Sequence, residues 1–259
     1  MTKPPKIVFP EWDNPIIQQA IQKSPQIEAV PADNLNDACH MVKAGQAQSL
    51  IAGIDYTSRD VIIACRDHLG TKGKTFSSCF VLTKGKKCYI MSDAATCKNP
   101  TEEQLFDITM QTYDTASAVL PDGEVPRIAL LNFSTAGSGG KDPSITRAQA
   151  VIQRVHTEHP EILIDGEMQL DAAVVPEVGQ KKFPDSRVAG HANVWIVPDI
   201  NSGNILYKAM ERFGGFTAAG PILQGFNAPC SDLSRGSTVA DVMAVIEVEQ
   251  KLIVSHEKL

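Results

Sequence analysis

The sequence predicts an α/β protein with mainly parallel sheets, divided into two α/β domains. Three observations predict it. Short apolar runs rich in Val and Ile alternate with helical periodicity through most of the 259 residues. The alternation breaks after Gly70-Thr71-Lys72-Gly73-Lys74, where two apolar runs flank a hairpin-like turn. Polar, glycine-punctuated segments follow several of the apolar runs, at strand ends where α/β proteins place their sites. The length suffices for one large or two modest cores, and a 43% hydrophobic share with 21% charged residues is that of a globular chain.

Taken in order, Ile7-Val8-Phe9, Ile27-Glu28-Ala29-Val30 and Ser49-Leu50-Ile51-Ala52 read as strands. Helical segments near 14–22 and 34–43 separate them, and a third follows over 59–69. Ser78-Cys79-Phe80-Val81-Leu82 and Cys88-Tyr89-Ile90-Met91 flank Lys84-Gly85-Lys86-Lys87, which predicts antiparallel strands opening a second unit. Thr101-Glu102-Glu103-Gln104 is a capping box, in which the Thr and Gln side chains each take up a backbone N–H of the first turn. Leu105, Ile108, Thr109, Thr112, Ala116 and Val119 carry the buried stripe of its helix, closed by the turn Pro121-Asp122-Gly123. Ile128-Ala129-Leu130-Leu131-Asn132-Phe133 is a continuous apolar run, the mark of a strand covered on both faces. Asp142 and Pro143 suit the N-cap and first position of another helix. Further strands are expected at Ile162-Leu163-Ile164 and Val194-Trp195-Ile196-Val197, with Ala219-Gly220-Pro221-Ile222-Leu223 close to the sheet. Pro198-Asp199-Ile200-Asn201-Ser202-Gly203-Asn204 has the composition of a turn that starts a helix. In the last helix Val239, Val242, Met243 and Ile246 recur at helical spacing, so one face is core.

Composition bounds the function. A net charge of −6 excludes the concentrated basic face that nucleic acid requires, so an anionic substrate must be met by a few placed arginines. No apolar stretch approaches the roughly 20 residues of a membrane helix, and the first residues show no secretion signal, so a cytoplasmic protein is expected. The six cysteines form no C-x-x-C pair and the histidines no H-x-x-x-H or H-E-x-x-H arrangement, so neither a metal site nor a disulfide framework is implied.

Three segments carry the chemistry. Ser134-Thr135-Ala136-Gly137-Ser138-Gly139-Gly140 lies between a strand and a helix start, the order of an anion site whose exposed N–H groups converge on phosphate. It is not a Walker A loop, because no Gly-Lys-Ser/Thr closes it, and a plain surface loop fits it as well. Asp165-Gly166-Glu167-Met168-Gln169-Leu170-Asp171 reads either as part of a site or as a solvated loop with helix caps. Ser231-Asp232-Leu233-Ser234-Arg235-Gly236, followed by Asp241, sets a hydroxyl, a guanidinium and a carboxylate together, suited to gripping an oxyanion while removing a proton. Thr238-Val239-Ala240-Asp241 also resembles a capping box, so helix capping is the competing reading of Asp241.

With these segments in view, the chain resembles the phosphate acetyltransferase (phosphotransacetylase) family. The matching pieces are Asn132-Phe133-Ser134-Thr135, Ile164-Asp165-Gly166-Glu167-Met168-Gln169-Leu170-Asp171-Ala172-Ala173 and Val188-Ala189-Gly190-His191-Ala192-Asn193-Val194. They continue with Asn201-Ser202-Gly203-Asn204-Ile205-Leu206-Tyr207-Lys208, Gly220-Pro221-Ile222-Leu223-Gln224-Gly225 and Asp232-Leu233-Ser234-Arg235-Gly236, in family order from about residue 126 to 246.

The resemblance implies an isocitrate/isopropylmalate dehydrogenase-like architecture, with a cleft between the domains. It places residues 1–76 and 229–259 in the first domain and 77–228 in the second, in keeping with the break near Gly70. It implies reversible acetyl transfer between coenzyme A and inorganic phosphate, without metal or prosthetic group, in a homodimer. Carried over by position, Asp241 would take the thiol proton of CoA, Ser234 would bond the acyl or phosphoryl oxygens, and Arg235 would hold phosphate. Ser134, Thr135, Gly137 and Ser138 would form a second anion-binding wall, and Asn204 and Lys208 would lie on a helix face supporting the cleft.

Two departures stand out. The N-terminal region lacks a family insertion that carries one CoA-contacting arginine. A second family arginine is replaced by Ile63, and the proline after it by Ala64. Arg59, four residues before, and Arg66, three after, could share that helix face and are the expected substitutes, against the reading of both as surface charges. Three alternatives frame the expectation: a propionyl or butyryl transferase, a regulatory relative that binds acyl-CoA or acyl phosphate without turnover, and a dehydrogenase. The last lacks a Gly-x-Gly-x-x-Gly turn after the first strand.

Overall fold

The computed structural model describes residues 3–257. Its elements in chain order are β1 (Lys6–Phe9), α1 (Pro15–Gln22), β2 (Glu28–Pro31), α2 (Leu35–Lys43), β3 (Ser49–Ala52), and α3 (Ser58–Ala64), which runs on as a π-helical turn over Cys65–Leu69. There follow β4 (Ser77–Lys84), β5 (Lys87–Ser92), α4 (Glu102–Val119), β6 (Arg127–Leu131), α5 (Pro143–Glu158), β7 (Leu163–Met168), α6 (Leu170–Val174) and α7 (Pro176–Lys182). The last are β8 (Val194–Ile196), α8 (Ile200–Arg212), β9 (Thr217–Gln224), β10 (Cys230–Asp232) and α9 (Val239–His256). The chain packs as two units, one of Met1–Val81 with Thr217–Leu259, the other of Leu82–Phe216.

In the first unit the strand order is β2-β1-β3-β10-β9-β4. β1 pairs in parallel with both β2 and β3, β10 runs parallel to β3, and β9 alone is antiparallel to β10. The chain leaves β1 for β2 on one side and β3 on the other, so a crevice opens beyond the carboxyl ends of β1 and β3. Val8, Leu50, Ala52 and Leu223 pack against Leu35, Val42 and Val61 of α2 and α3 beneath that edge. Fully burying each of the larger side chains contributes roughly 1.5–3 kcal/mol. The thiols of Cys39, Cys65 and Cys230, dispersed in the sequence, meet in this core. Cys39 is held well above a free thiol by its bond to Cys65 and by burial, which leaves it unreactive.

The second unit is a parallel sheet in the order β5-β8-β6-β7. Its longest helix, α4, starts with the expected capping box of Thr101 and Gln104 and buries Leu105, Ile108, Thr109, Thr112, Ala116 and Val119. Asp142 caps α5 through the Ser144 N–H, and Asp199 caps α8 through that of Ser202.

The fold is thus α/β with largely parallel pairing. Differences from the sequence reading are local. Residues 165–167 lie inside β7, because Asp165 and Gly166 pair with Ala129 and Leu130 of β6. The Ser231-Asp232 dipeptide belongs to the short strand β10, which pairs with β3 through Ser231 and Asp232 opposite Ile51 and Ala52. The units divide inside β4 and before β9, not at 76 and 228, since β9 bonds to β10 and the Ser77 hydroxyl of β4 donates to Gln224 of β9.

Candidate active site

In the first unit the carboxyl ends of β1, β3 and β10 bring a polar group together. β1 is followed by Glu11, a buried carboxylate whose Oε2 accepts the Gly53 N–H at 2.8 Å and whose Oε1 accepts those of Asp55 and Tyr56. One side chain thereby takes up three amides of the bend between β3 and α3. Gly53, at φ 117, is required there: a Cβ would stand 2.3 Å from Asp232 Oδ1. Thr57 caps α3, so Arg59 is exposed in the first turn of that helix, at the same edge.

β10 delivers the motif. The Leu233 N–H donates to Ala52 O at 2.6 Å, extending the pairing with β3. The chain then folds into a tight turn in which the Ser237 N–H donates to Ser234 O and Ser237 Oγ accepts the Ser234 N–H at 3.1 Å. Ser234 and Arg235 are exposed on this turn. Ser234 Oγ accepts the Gly236 N–H at 3.3 Å, which leaves its hydroxyl hydrogen to donate outward. Asp241 is residue N3 of α9, and its Oδ2 accepts both the N–H and the hydroxyl of Thr238 at 2.8 Å. The capping box read from the sequence is therefore present, and it uses one carboxylate oxygen and leaves Oδ1.

Two buried carboxyls lie on and beside β10. Asp232 is 1% exposed, and neither oxygen has a hydrogen-bond partner in good geometry. Burial pushes it up to about 7, the Ser58 hydroxyl opposes this, and the charge of Glu11 adds to it. Glu249 of α9, fully buried, accepts the hydroxyls of Ser49 at 2.6 Å and Ser231, and burial against these two bonds brings it also to about 7. Neither role is evident in the sequence: Asp232 lies inside the motif without a signal that it is buried, and Glu249 is a lone Glu on an apolar helix face.

Arg66 is not part of this edge. It lies in the π-helical turn past the far end of α3, about 10 Å along the helix from Arg59 at 1.5 Å per residue, and its Nε bonds Asp67 at 2.8 Å. The widened turn also breaks the spacing on which its sharing a face with residue 63 depended.

In the second unit the loop 134–140 follows β6 beside the end of β7. Ser134 and Thr135 are buried, whereas Gly137 and Ser138 are exposed. The amides of 135–140 are taken up within the protein. The Thr135 N–H donates to Ser138 Oγ, Ala136 to Glu167 O, Gly137 to Glu167 Oε1 and Gly139 to Ser134 Oγ. The Ser138 and Gly140 N–H groups donate to Thr135 O and Gly137 O. The sequence reading of a cradle of open N–H groups therefore does not describe this loop: Glu167 takes the amides of Ala136 and Gly137, and acceptors within the loop take the rest of those named. Thr135 Oγ1 accepts the Gln169 N–H at 2.9 Å, tying the loop to the start of α6. Asp171 is paired with Lys182 at 2.9 Å, which holds its carboxyl below the usual range. On α8, Asn204 is half-buried and Lys208 exposed, its ammonium over the Tyr207 ring. Among the described residues no group of three His, Cys, Asp or Glu is arranged to hold a metal, and no helix is long and apolar enough to cross a membrane.

Comparison with known proteins agrees with the motifs. The model of the family described as phosphate acetyl/butaryl transferase matches residues 18–249. A phosphate acetyltransferase of Treponema pallidum is 40% identical over 228 residues, covering 83% of this chain, and one of Bacillus subtilis is 39% identical over 216 residues, covering 82%. The chain spans about two thirds of the length of these relatives, 67% and 66%. A phosphotransacetylase structure from Streptococcus pyogenes superposes with a TM-score of 0.86 at 29% identity, covering 98% of this chain and 95% of that one. The chain belongs to the phosphate acetyl/butyryl transferase family.

Proposed function

We propose that the protein is an acyltransferase that moves an acetyl group reversibly between coenzyme A and inorganic phosphate. The observation that carries the reading is the edge of the first unit, where Ser234, Arg235 and Asp241 follow one strand in a chain of this family. In the direction of acetyl-CoA formation, Asp241 Oδ1 takes the thiol proton as the sulfur attacks the carbonyl carbon of acetyl phosphate. A free thiol is mostly protonated at neutral pH, so this transfer supplies the competent nucleophile. The tetrahedral oxyanion is met by the outward hydroxyl of Ser234. Phosphate then leaves with the electron pair of its bond to carbon, stabilised by the planar fork of Arg235, which matches phosphate bidentately. In reverse, a phosphate oxygen attacks the thioester and Asp241 returns the proton to the departing thiolate. Arg59, exposed at the same edge, is the reading's candidate for the arginine replaced by Ile63.

CoA enters as a substrate, and no prosthetic group is part of the reading. A homodimer and a cytoplasmic location belong to it as well. Six free cysteines support a reducing compartment, and Ile205 and Phe213, 69% and 92% exposed on and just after α8, leave apolar surface for a second copy. Light scattering tests the dimer.

Thioester absorbance with acetyl phosphate and CoA tests the activity. Turnover is expected in the wild type, with a loss of about 10²–10⁴-fold in Asp241→Asn, which keeps the cap but cannot take the proton. Propionyl and butyryl phosphates run alongside set the acyl length. Absence of wild-type turnover despite CoA binding refutes the reading in favour of a regulatory binder.

A further inference from the structure

Residues 134–140 have the shape of an anion nest. Ala136 and Gly137 both sit in the left-handed region, at φ 50 and 79, which turns successive N–H groups inward. For Ala136 this conformation costs roughly 1–2 kcal/mol, so something must hold it. The nest is filled from within. Glu167, fully buried, places Oε1 2.8 Å from the Ser134 hydroxyl and 2.7 Å from the Gly137 N–H, while Oε2 accepts from Gln149 at 3.0 Å. The same residue's carbonyl takes the Ala136 N–H at 3.1 Å.

We propose that Glu167 is a positioning residue whose Oε1 serves as the resident acceptor of the 134–140 nest. It fixes the loop and denies those donors to phosphate. What stands exposed beside the loop is the ring of Phe133, 60% exposed, a surface suited to an uncharged acyl or thioester group. This choice of ligand rests on the acyltransferase reading; the internal acceptor does not.

The test compares the wild type with Glu167→Gln and Glu167→Ala. Gln keeps an acceptor for Ser134 and Gly137 without the charge; Ala empties the nest. Deuterium exchange of the segment 134–140 should match the wild type within about twofold in Glu167→Gln and accelerate about tenfold or more in Glu167→Ala. Sodium formate, a carboxylate small enough for the vacated space, should restore most of that protection and leave the wild type unchanged, a rescue that generic loosening would not show. In the acyl-transfer assay Glu167→Gln should keep kcat and the KM for phosphate within about threefold, whereas Glu167→Ala should lose kcat and recover it with formate. If Glu167→Ala does not fold, Ser134→Ala should show a smaller exchange increase confined to 134–140. Wild-type-like exchange in Glu167→Ala, acceleration that formate leaves untouched, or a Gln variant behaving like Ala overturns the proposal. A wild type without turnover defeats the acyltransferase reading instead, and the exchange results still decide the role of Glu167.

Discussion

Replacing Asp232 by Asn should reverse part of the pH dependence of stability. The Asp232 carboxyl is buried with no hydrogen-bond partner in good geometry, and burial, opposed by the Ser58 hydroxyl and aided by the charge of Glu11, raises it from 3.8 to about 7. A folded-state value above the unfolded one means the native protein binds the proton more tightly. The stabilisation is therefore complete below the unfolded value near 3.8 and is lost as pH climbs through about 7. With those two values, the loss between about pH 5 and about pH 8 comes to about 2.5 kcal/mol. Asn does not titrate. Its buried amide carries a cost of its own, but one that is the same at every pH, so only the slope is diagnostic.

Thermal melts at the two pH values measure it. The wild type should lose stability relative to Asp232→Asn as pH rises, and the gap between their melting temperatures should shift by about 5–10 °C in favour of the variant. A gap that stays constant from pH 5 to 8 would show that Asp232 is already ionised at pH 5 and has found a partner. That result would refute the account of the strand end.

Glu249→Gln should behave in the same way, with a change of about 2.5 kcal/mol over the same range, since Glu249 rises from 4.5 to about 7 and Gln, which does not titrate, can accept one of the hydroxyls of Ser49 and Ser231 with its oxygen and donate to the other with its NH2. Denaturant titration at the two pH values checks it. Gly53→Ala should destabilise by more than about 2 kcal/mol, because the methyl group would collide with Asp232 and the Leu233 backbone while the backbone stays left-handed; urea midpoints measure this.

Much of the fold was legible because its elements announce themselves locally. The run Ser49-Leu50-Ile51-Ala52 needs no partner to read as a buried strand, and Thr101 with Gln104 fixes a helix start without reference to the rest of the chain. β10 was not legible. Three residues, two of them polar, carry no periodicity, and Cys230-Ser231-Asp232 becomes a strand only because β3 and β9 offer it edges on both sides. The same dependence on distant partners hid the meeting of Cys39, Cys65 and Cys230, which no spacing rule encodes.

At the site, residue types were readable and their bonding was not. A hydroxyl, an arginine and an acid after Asp232 could be named from the motif, yet whether Asp241 caps a helix or takes a proton is a question of two oxygens, and the helix uses one of them. The glycine-rich loop shows the harder case. Its composition is that of an anion cradle, and its backbone has that shape, but the carboxylate that fills it arrives from Glu167, a residue 30 positions beyond Gly137. Sequence reports the donors and remains silent on which acceptor reaches them first. A nest and its internal acceptor form one structural unit, so a glycine-rich turn followed by an acidic residue at the end of the adjacent parallel strand is better read as a self-satisfied loop than as an open phosphate site.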